Sequence, residues 1–416
     1  MLRRHFLRAL STAACSAAAH PWLTTVTLAG ADGGPRLGEN RLIVVILRGA
    51  MDGLDLVRPE FDPAYRRLRP GLALPGLPLS QGFALSPRLS ALMPLWQAGE
   101  LGFVHATSTP YRDKRSHFDG QDILEAGTGL DLPDPAVRDG WLNRMLQAVP
   151  GLRSETAFAV GRDAIPLLAG AAPVMNWTPD LTLSLSAQGR LLLDHVYHDD
   201  PLFRDAAAEA MMLADQASDM DALEAEADIP DEMTGAEKTE AGMAPPANRQ
   251  LAGIDDLADF AAQRLRAETR IAAFSLTGWD THRNQAGGIA GPLARLERVI
   301  LRLREGLGPG VWGKTVLLAM TEFGRTVAEN GSKGTDHGTG GAMLMAGGAL
   351  RGGRVLGQWP GLAEEALYAR RDLMPTSDVR GWAGAALRGL YGFDRALIEG
   401  TVFPGLILPD DPGLLR

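Results

Sequence analysis

The sequence predicts an α/β fold: a mostly parallel central sheet sandwiched by helices. Three observations predict it. Apolar runs of strand length recur along the chain, at Arg41–Leu47, Leu101–Ala106, Thr156–Val160, Ile271–Leu276, Thr315–Met320 and Ala342–Ala346. Segments with helical spacing lie between many of them, the pattern of a sheet whose crossovers are helices. The runs are apolar throughout instead of alternating, which marks strands buried on both faces.

The elements follow in order. Arg41–Leu47 is the first strand, and the loop Arg48-Gly49-Ala50-Met51-Asp52-Gly53 follows it. A Pro/Leu/Gly segment from Arg67 to Gly82 has no clear period and reads as a surface excursion. Ser86–Ala98 is expected to be helical, and Leu101–Ala106 is the second strand. Ser116–Ala126 and Gly140–Val149 are expected helices, with Thr156–Val160 a further strand. From Asp215 to Glu240 acids face a single base, Lys238, and Pro230 and Gly235 break the pattern. This reads as helix, then an acidic exposed or disordered stretch. Helical spacing resumes at Ile254–Glu268, with Ile254, Leu257, Phe260, Ala261 and Leu265 on one side, and again at Pro292–Glu305. The expected organisation is a leader over 1–31, a linker over 32–40, and one α/β domain over 41–416 with an acidic insert at about 215–248.

The N-terminus argues for the compartment. Arg3-Arg4-His5-Phe6-Leu7-Arg8 has the form of a twin-arginine export signal, and an Ala-rich stretch leads to the small residues Ala29-Gly30-Ala31. The expected location is periplasmic or secreted, with the twin-arginine machinery as a partner. Cys15, the one cysteine, lies in that leader, so the processed chain would have no disulfide and no thiolate ligand. The net charge of −9 becomes more negative once Arg3, Arg4 and Arg8 are removed. An acidic chain is a poor match to nucleic acid. No run after the leader is long and apolar enough to span a bilayer.

Short stretches next to the strands carry the candidate chemistry. Gly278-Trp279-Asp280-Thr281-His282 and Thr321-Glu322-Phe323-Gly324-Arg325 each follow a strand, and Gly334-Thr335-Asp336-His337-Gly338 precedes one. Ligands of an open α/β sheet bind beyond the carboxyl ends of its strands. Asp280 and His282, one residue apart on an extended segment, share a side and suit one cation. They could equally be a turn cap and a backbone-bonded imidazole. Asp336-His337 sits in a glycine-rich loop that could wrap a bound group or simply be a loop. Glu322 and Arg325 could bind a ligand or pair with each other. Ser116 opens a helix, where it could be a nucleophile beside a metal or the cap of a capping box with Asp119.

Taken together with Leu47-Arg48-Gly49-Ala50-Met51-Asp52-Gly53-Leu54 and Ser116-His117-Phe118-Asp119-Gly120-Gln121, these stretches resemble a family of exported proteins known as domain of unknown function 1501. That family is placed in the alkaline phosphatase/sulfatase superfamily. The resemblance implies a metal-assisted hydrolase site, with Asp280, His282 and His337 similar to one metal-binding group. It implies that Asp52, Ser116 and Glu322 are similar to a second. The chain departs from the superfamily pattern at four places. Asp280 and His282 are one residue apart, closer than the superfamily's usual spacing. Arg48 ends the first strand where a metal-binding Asp is usual, Glu322-Phe323 replaces an Asp-His pair, and the sulfatase Cys-x-Pro-x-Arg signature is absent.

The expectation is therefore an exported metal-dependent hydrolase of a phosphate or sulfate ester. Metal ligands would come from Asp52, Asp280, His282, Glu322 and His337, with zinc one candidate ion. Ser116 would attack, and Arg325 or Arg48 would hold the anion of a small ester or glycan. The alternative is a catalytically degenerate relative that binds an anionic ligand or serves in an assembly.

Overall fold

The computed structural model describes residues 36–131, 133–134, 137–161, 165–178 and 246–416. The expected leader, the start of the linker and nearly all of the expected acidic insert lie outside those residues.

Nine strands form one sheet. They are β1 (Arg41–Leu47), β2 (Leu101–Ser108), β3 (Ala157–Val160), β4 (Met175–Trp177), β5 (Ile271–Leu276), β6 (Thr315–Met320), β7 (Gly341–Ala346), β8 (Val355–Leu356) and β9 (Ser377–Asp378). Their order is β8-β2-β7-β6-β1-β5-β3-β4, with β9 also on β2. β1 runs parallel to both β5 and β6 at the centre. β7 alone is antiparallel to its neighbours, β2 and β6.

β1 shows why the sheet forms. Leu42, Val44 and Ile46 face one apolar core, while Ile43, Val45 and Leu47 face the other, all fully buried. A strand with no polar face is stable only between two covered layers. The first layer contains α2 (Trp141–Gln147) and α5 (Val379–Tyr391), through Trp141, Met145, Ala386 and Leu387. The second contains α3 (Pro246–Arg266) and α4 (Ala290–Trp312), through Leu257, Ala261, Leu296 and Leu303. No helix among the described residues is long and apolar enough to cross a membrane.

One expected element needs adjustment. The helix expected over Ser86–Ala98 is two short pieces, a tight turn at Pro87–Leu92 and a helix at Met93–Gln97. Pro87 and Pro94 each lack the amide that a continuous helix would use and sit instead at the two starts. The sheet is mostly parallel as expected, with β7 its one reversed strand among the described residues. That reversal brings the loop preceding β7 to the edge where β1, β2, β5 and β6 end, so a motif that precedes its strand joins motifs that follow theirs.

Candidate metal centre

Five loops meet at that edge. The loop after β5 is stitched to the loop before β7 by Thr335 N–H donating to Thr281 O at 3.2 Å and Gln285 N–H to Lys333 O at 2.8 Å. The loop after β6 pairs with the same segment through Thr326 N–H to Asp336 O and Gly338 N–H to Gly324 O, both 2.8 Å. Gly49, after β1, has φ +116°, and a Cβ there would lie 2.6 Å from the Asp280 amide nitrogen. Only glycine lets these two loops approach so closely.

Three donor atoms face one another in this cluster. His282 Nε2 lies 2.9 Å from His337 Nε2 and 3.0 Å from Asp280 Oδ1. His337 Nε2 is 3.2 Å from the same oxygen. Around a tetrahedral ion with bonds of about 2.0–2.1 Å, neighbouring ligand atoms stand roughly 3.3 Å apart, so this triangle has the size of a coordination face. His117, the first residue of α1 (His117–Ala126), joins from the other side, with Nε2 3.5 Å from Asp280 Oδ2. Donor atoms of His117, Asp280 and His337 all lie within 4.8 Å of one another.

The second nitrogen of each ring decides its proton. His117 Nδ1 faces Glu322 Oε1 at 2.8 Å, His282 Nδ1 faces Asp336 Oδ1 at 3.0 Å, and His337 Nδ1 faces the Arg115 carbonyl at 2.9 Å. Each partner can only accept, so each Nδ1 carries a hydrogen and each neutral ring presents a lone pair at Nε2. Two lone pairs 2.9 Å apart beside a carboxylate repel unless a cation, either a proton or a metal ion, sits among them. His117 Nε2 is buried and has no hydrogen-bond partner. Imidazoles held this way by an outer acceptor are the usual arrangement around a bound metal.

The charges are held accordingly. Burial pushes Asp280 up, but the Arg325 guanidinium, 2.6 Å from Oδ1, wins and keeps the carboxylate below its ordinary value. The hydrogen bond to Glu322 pushes His117 up, whereas burial pushes His337 down. Glu322 is fully buried, yet hydrogen bonds from His117, Gly49 N–H and Gln121 hold it below the usual range. Phe323 lies against His117, ring centres 5.2 Å apart, and against Tyr111 at 5.8 Å, forming an apolar wall.

A family model described as "Protein of unknown function (DUF1501)" matches residues 106–380, more than half of the chain and every residue of this cluster. The chain belongs to the DUF1501 family. A search of curated proteins finds no match to it. Among solved structures, this DUF1501 chain is similar to the C-terminal periplasmic domain of EcEptC from Escherichia coli in complex with Zn. The identity is 10%, with 75% of this chain and 74% of that one covered, at a TM-score of 0.36. It is also similar to the lipoteichoic acid synthase LtaP from Listeria monocytogenes, at 10% identity, covering 69% of this chain and 56% of that one, with a TM-score of 0.31. These are distant likenesses, and the chemistry below follows from the chain's own side chains.

Of the residues expected at the site, the structure brings together Asp280, His282 and His337. It places the others differently. Asp52 is buried, and its Oδ2 accepts from Arg69 Nη1 and Gln285 Nε2, both at 2.5 Å. Burial pushes its carboxyl up, but Arg69 prevails and holds it low. It also caps a short helix by accepting from Leu54 N–H, so no oxygen of Asp52 faces the cluster unpartnered. Glu322 stands behind His117 and is not itself beside Asp280; its Oε1 is taken by His117, Gln121 and the Gly49 and Ala50 amides.

Arg325 is buried and donates to Asp280, Thr335 Oγ1 and the Thr335 carbonyl, which makes it a brace for Asp280 and removes it as an anion holder. Arg48 bonds Gln121 Oε1 at 2.7 Å and pairs with buried Glu125 at 2.8 Å, which likewise takes it from that role. Ser116 caps α1, its Oγ accepting from Asp119 N–H at 3.3 Å. That bond consumes one lone pair and leaves the O–H available. The residue missed was His117. The available signal was its spacing to Gln121, four residues on and on the same helical face; both reach Glu322.

Proposed function

We propose that this chain is a divalent-metal-dependent hydrolase of a phosphate or sulfate ester, exported by the twin-arginine route. The observation that carries it is the set of three imidazoles whose Nδ1 atoms are spent on outer acceptors while their Nε2 atoms converge on Asp280. His282, His337 and Asp280 would hold the ion, with His117 completing or exchanging into the shell. Nitrogen and carboxylate donors without thiolate suit Zn²⁺ among the common divalent ions. A bound ion would supply Lewis acidity to an ester oxygen.

The chain's own residues supply the rest. Glu322, Asp336 and the Arg115 carbonyl fix the rings. Arg325 keeps Asp280 ionised. Asp280 and His282 remain 43% and 41% exposed, so a substrate can reach the centre from solvent. Ser116, adjoining His117 at the start of α1, is the proposed nucleophile; helix N-terminal amides near it favour an anionic group.

The test is hydrolysis of a panel of phosphate and sulfate esters by zinc-loaded protein. Turnover that disappears in Ser116→Ala with the zinc retained supports the reading. A zinc-loaded wild type inert towards the panel contradicts the hydrolase and leaves a metal-bearing binding protein.

A further inference from the structure

With Arg325 and Arg48 committed to carboxylates, the centre needs another cation to receive an anionic ester. The loop Tyr111–Ser116 crosses its rim and carries three. Arg112 turns inward, with Nη1 donating to the carbonyls of Thr109 at 2.5 Å and Tyr111 at 2.7 Å. Lys114 pairs with Asp131 at 2.8 Å. Arg115 is exposed and has no ion-pair partner among the described residues.

Its backbone is unusual. Arg115 has φ +57°, in the left-handed region where glycine fits without cost and a long side chain does not. The conformation is fixed from outside, because the Arg115 carbonyl accepts from His337 Nδ1 at 2.9 Å. A glycine would make that same bond with less strain, so the bond does not account for an arginine. Strained backbone of this kind gathers where a side chain or carbonyl must be aimed.

Arg371 flanks the same histidine. Its Nη2 donates to the His337 carbonyl and its Nη1 pairs with Asp372, both at 2.9 Å. Asp372 is 2% exposed and also accepts from Thr339 Oγ1 at 2.9 Å. Arg371 is thereby neutralised by a buried carboxylate. The charge of Arg115 also reaches Asp372, where with that of Arg371 it opposes the upward push of burial. Two arginines therefore stand beside His337, Arg371 through its guanidinium and Arg115 through its carbonyl, and of the two only Arg371 has a carboxylate partner among the described residues.

We propose that Arg115, backed by Arg371, is the anion-binding element of the metal centre and takes the phosphate- or sulfate-like group of the substrate. The proposal rests on the metal-centre reading above. Guanidinium matches a tetrahedral oxyanion through two parallel N–H bonds, and a side chain at the rim can meet oxygens not engaged by the ion.

The experiment is calorimetric titration of inorganic phosphate into the zinc-loaded full chain, with zinc content measured in the same samples. Wild type should bind phosphate. Arg115→Ala and Arg115→Gly should each lose about ten- to a hundred-fold in affinity, the loss of a charged hydrogen-bonding partner. Arg115→Lys should keep part of it, and all three should retain zinc. Arg115→Gly should melt no lower than Arg115→Ala, because glycine relieves the left-handed backbone. Wild-type phosphate affinity in Arg115→Ala overturns the proposal, as does a zinc-loaded wild type that binds no phosphate; both leave the metal centre standing. A wild type that takes up no zinc removes the metal centre itself and this proposal with it.

Discussion

Glu322 offers the sharpest separation between a ligand and a group that orients one. Its carboxylate is fully buried and accepts from His117 Nδ1, Gly49 N–H, Ala50 N–H, Gln121 Nε2 and Thr321 Oγ1 at 2.8–3.2 Å. Glu322→Ala strips the acceptor from two loop amides, at about 1–3 kcal/mol for each buried donor left unpaired. The expected loss is therefore about 2–6 kcal/mol of folding stability, before any cavity cost. Glu322→Gln keeps one carbonyl oxygen for those amides and removes the charge. It should stay folded, let the His117 pKa fall towards its ordinary value, and weaken metal binding about 10–100-fold, the usual effect of losing an outer-shell partner. Urea denaturation followed by tryptophan fluorescence reads the first quantity and zinc calorimetry the second. An Ala variant within about 1 kcal/mol of wild type, a small loss by the scale of ordinary substitutions, refutes the stability reasoning. A Gln variant with unchanged zinc affinity refutes the orienting role.

Other consequences follow from the same contacts. Arg69 and Asp52 are 0% and 1% exposed and 2.5 Å apart; Arg69→Met strands a buried carboxylate and should cost about 3–5 kcal/mol in urea denaturation, while Asp52→Asn should keep its zinc. Zinc affinity should fall with decreasing pH, and the fall should begin above the ordinary imidazole value because Glu322 raises His117 and the proton competes with the ion; a calorimetric pH series showing no fall contradicts this. His105 donates from one ring nitrogen to Val57 O, accepts Ala106 N–H at the other, and burial lowers its pKa to about 4. Folded protein thus resists a proton that the unfolded chain takes up below about 6.5, so stability is full above that value and declines by about 3 kcal/mol towards pH 4. An NMR titration in which the His105 ring protonates near pH 6.5 would sink that assignment. Ser116→Ala should lose about 1 kcal/mol through the helix cap, measurable by the same denaturation, and should keep its metal.

The sheet was legible because its long strands have no polar face; residues such as Leu42 to Leu47 can only lie between two cores. β4, β8 and β9 were not legible, because two or three residues carry no period. Asp280, His282 and His337 could be picked out because acidic and imidazole side chains stood beside strands. Asp52 misled for the same reason, since it follows β1. Its partner Arg69 lies in a segment with no recognisable pattern, and nothing local shows that the two meet. His117 was hidden by the capping pattern of Ser116 and Asp119, which explains the local sequence without it. Glu322 was rightly placed at the strand end, but whether a carboxylate touches an ion or the ring behind it depends on the Gly49–Ala50 loop. That contact spans more than 270 residues of sequence. The antiparallel course of β7 depends likewise on contacts distant in sequence.

Metal stoichiometry and affinity bear most directly on the centre. Purified full chain, stripped with chelator and titrated with Zn²⁺, should bind one ion per chain at the cluster. His337→Ala and Asp280→Asn should each abolish that binding or weaken it at least a hundred-fold while leaving the fold's circular dichroism unchanged. A wild type that takes up no stoichiometric zinc, or variants that bind it as tightly as wild type, would contradict the convergence of His117, His282 and His337 on Asp280 as a metal centre.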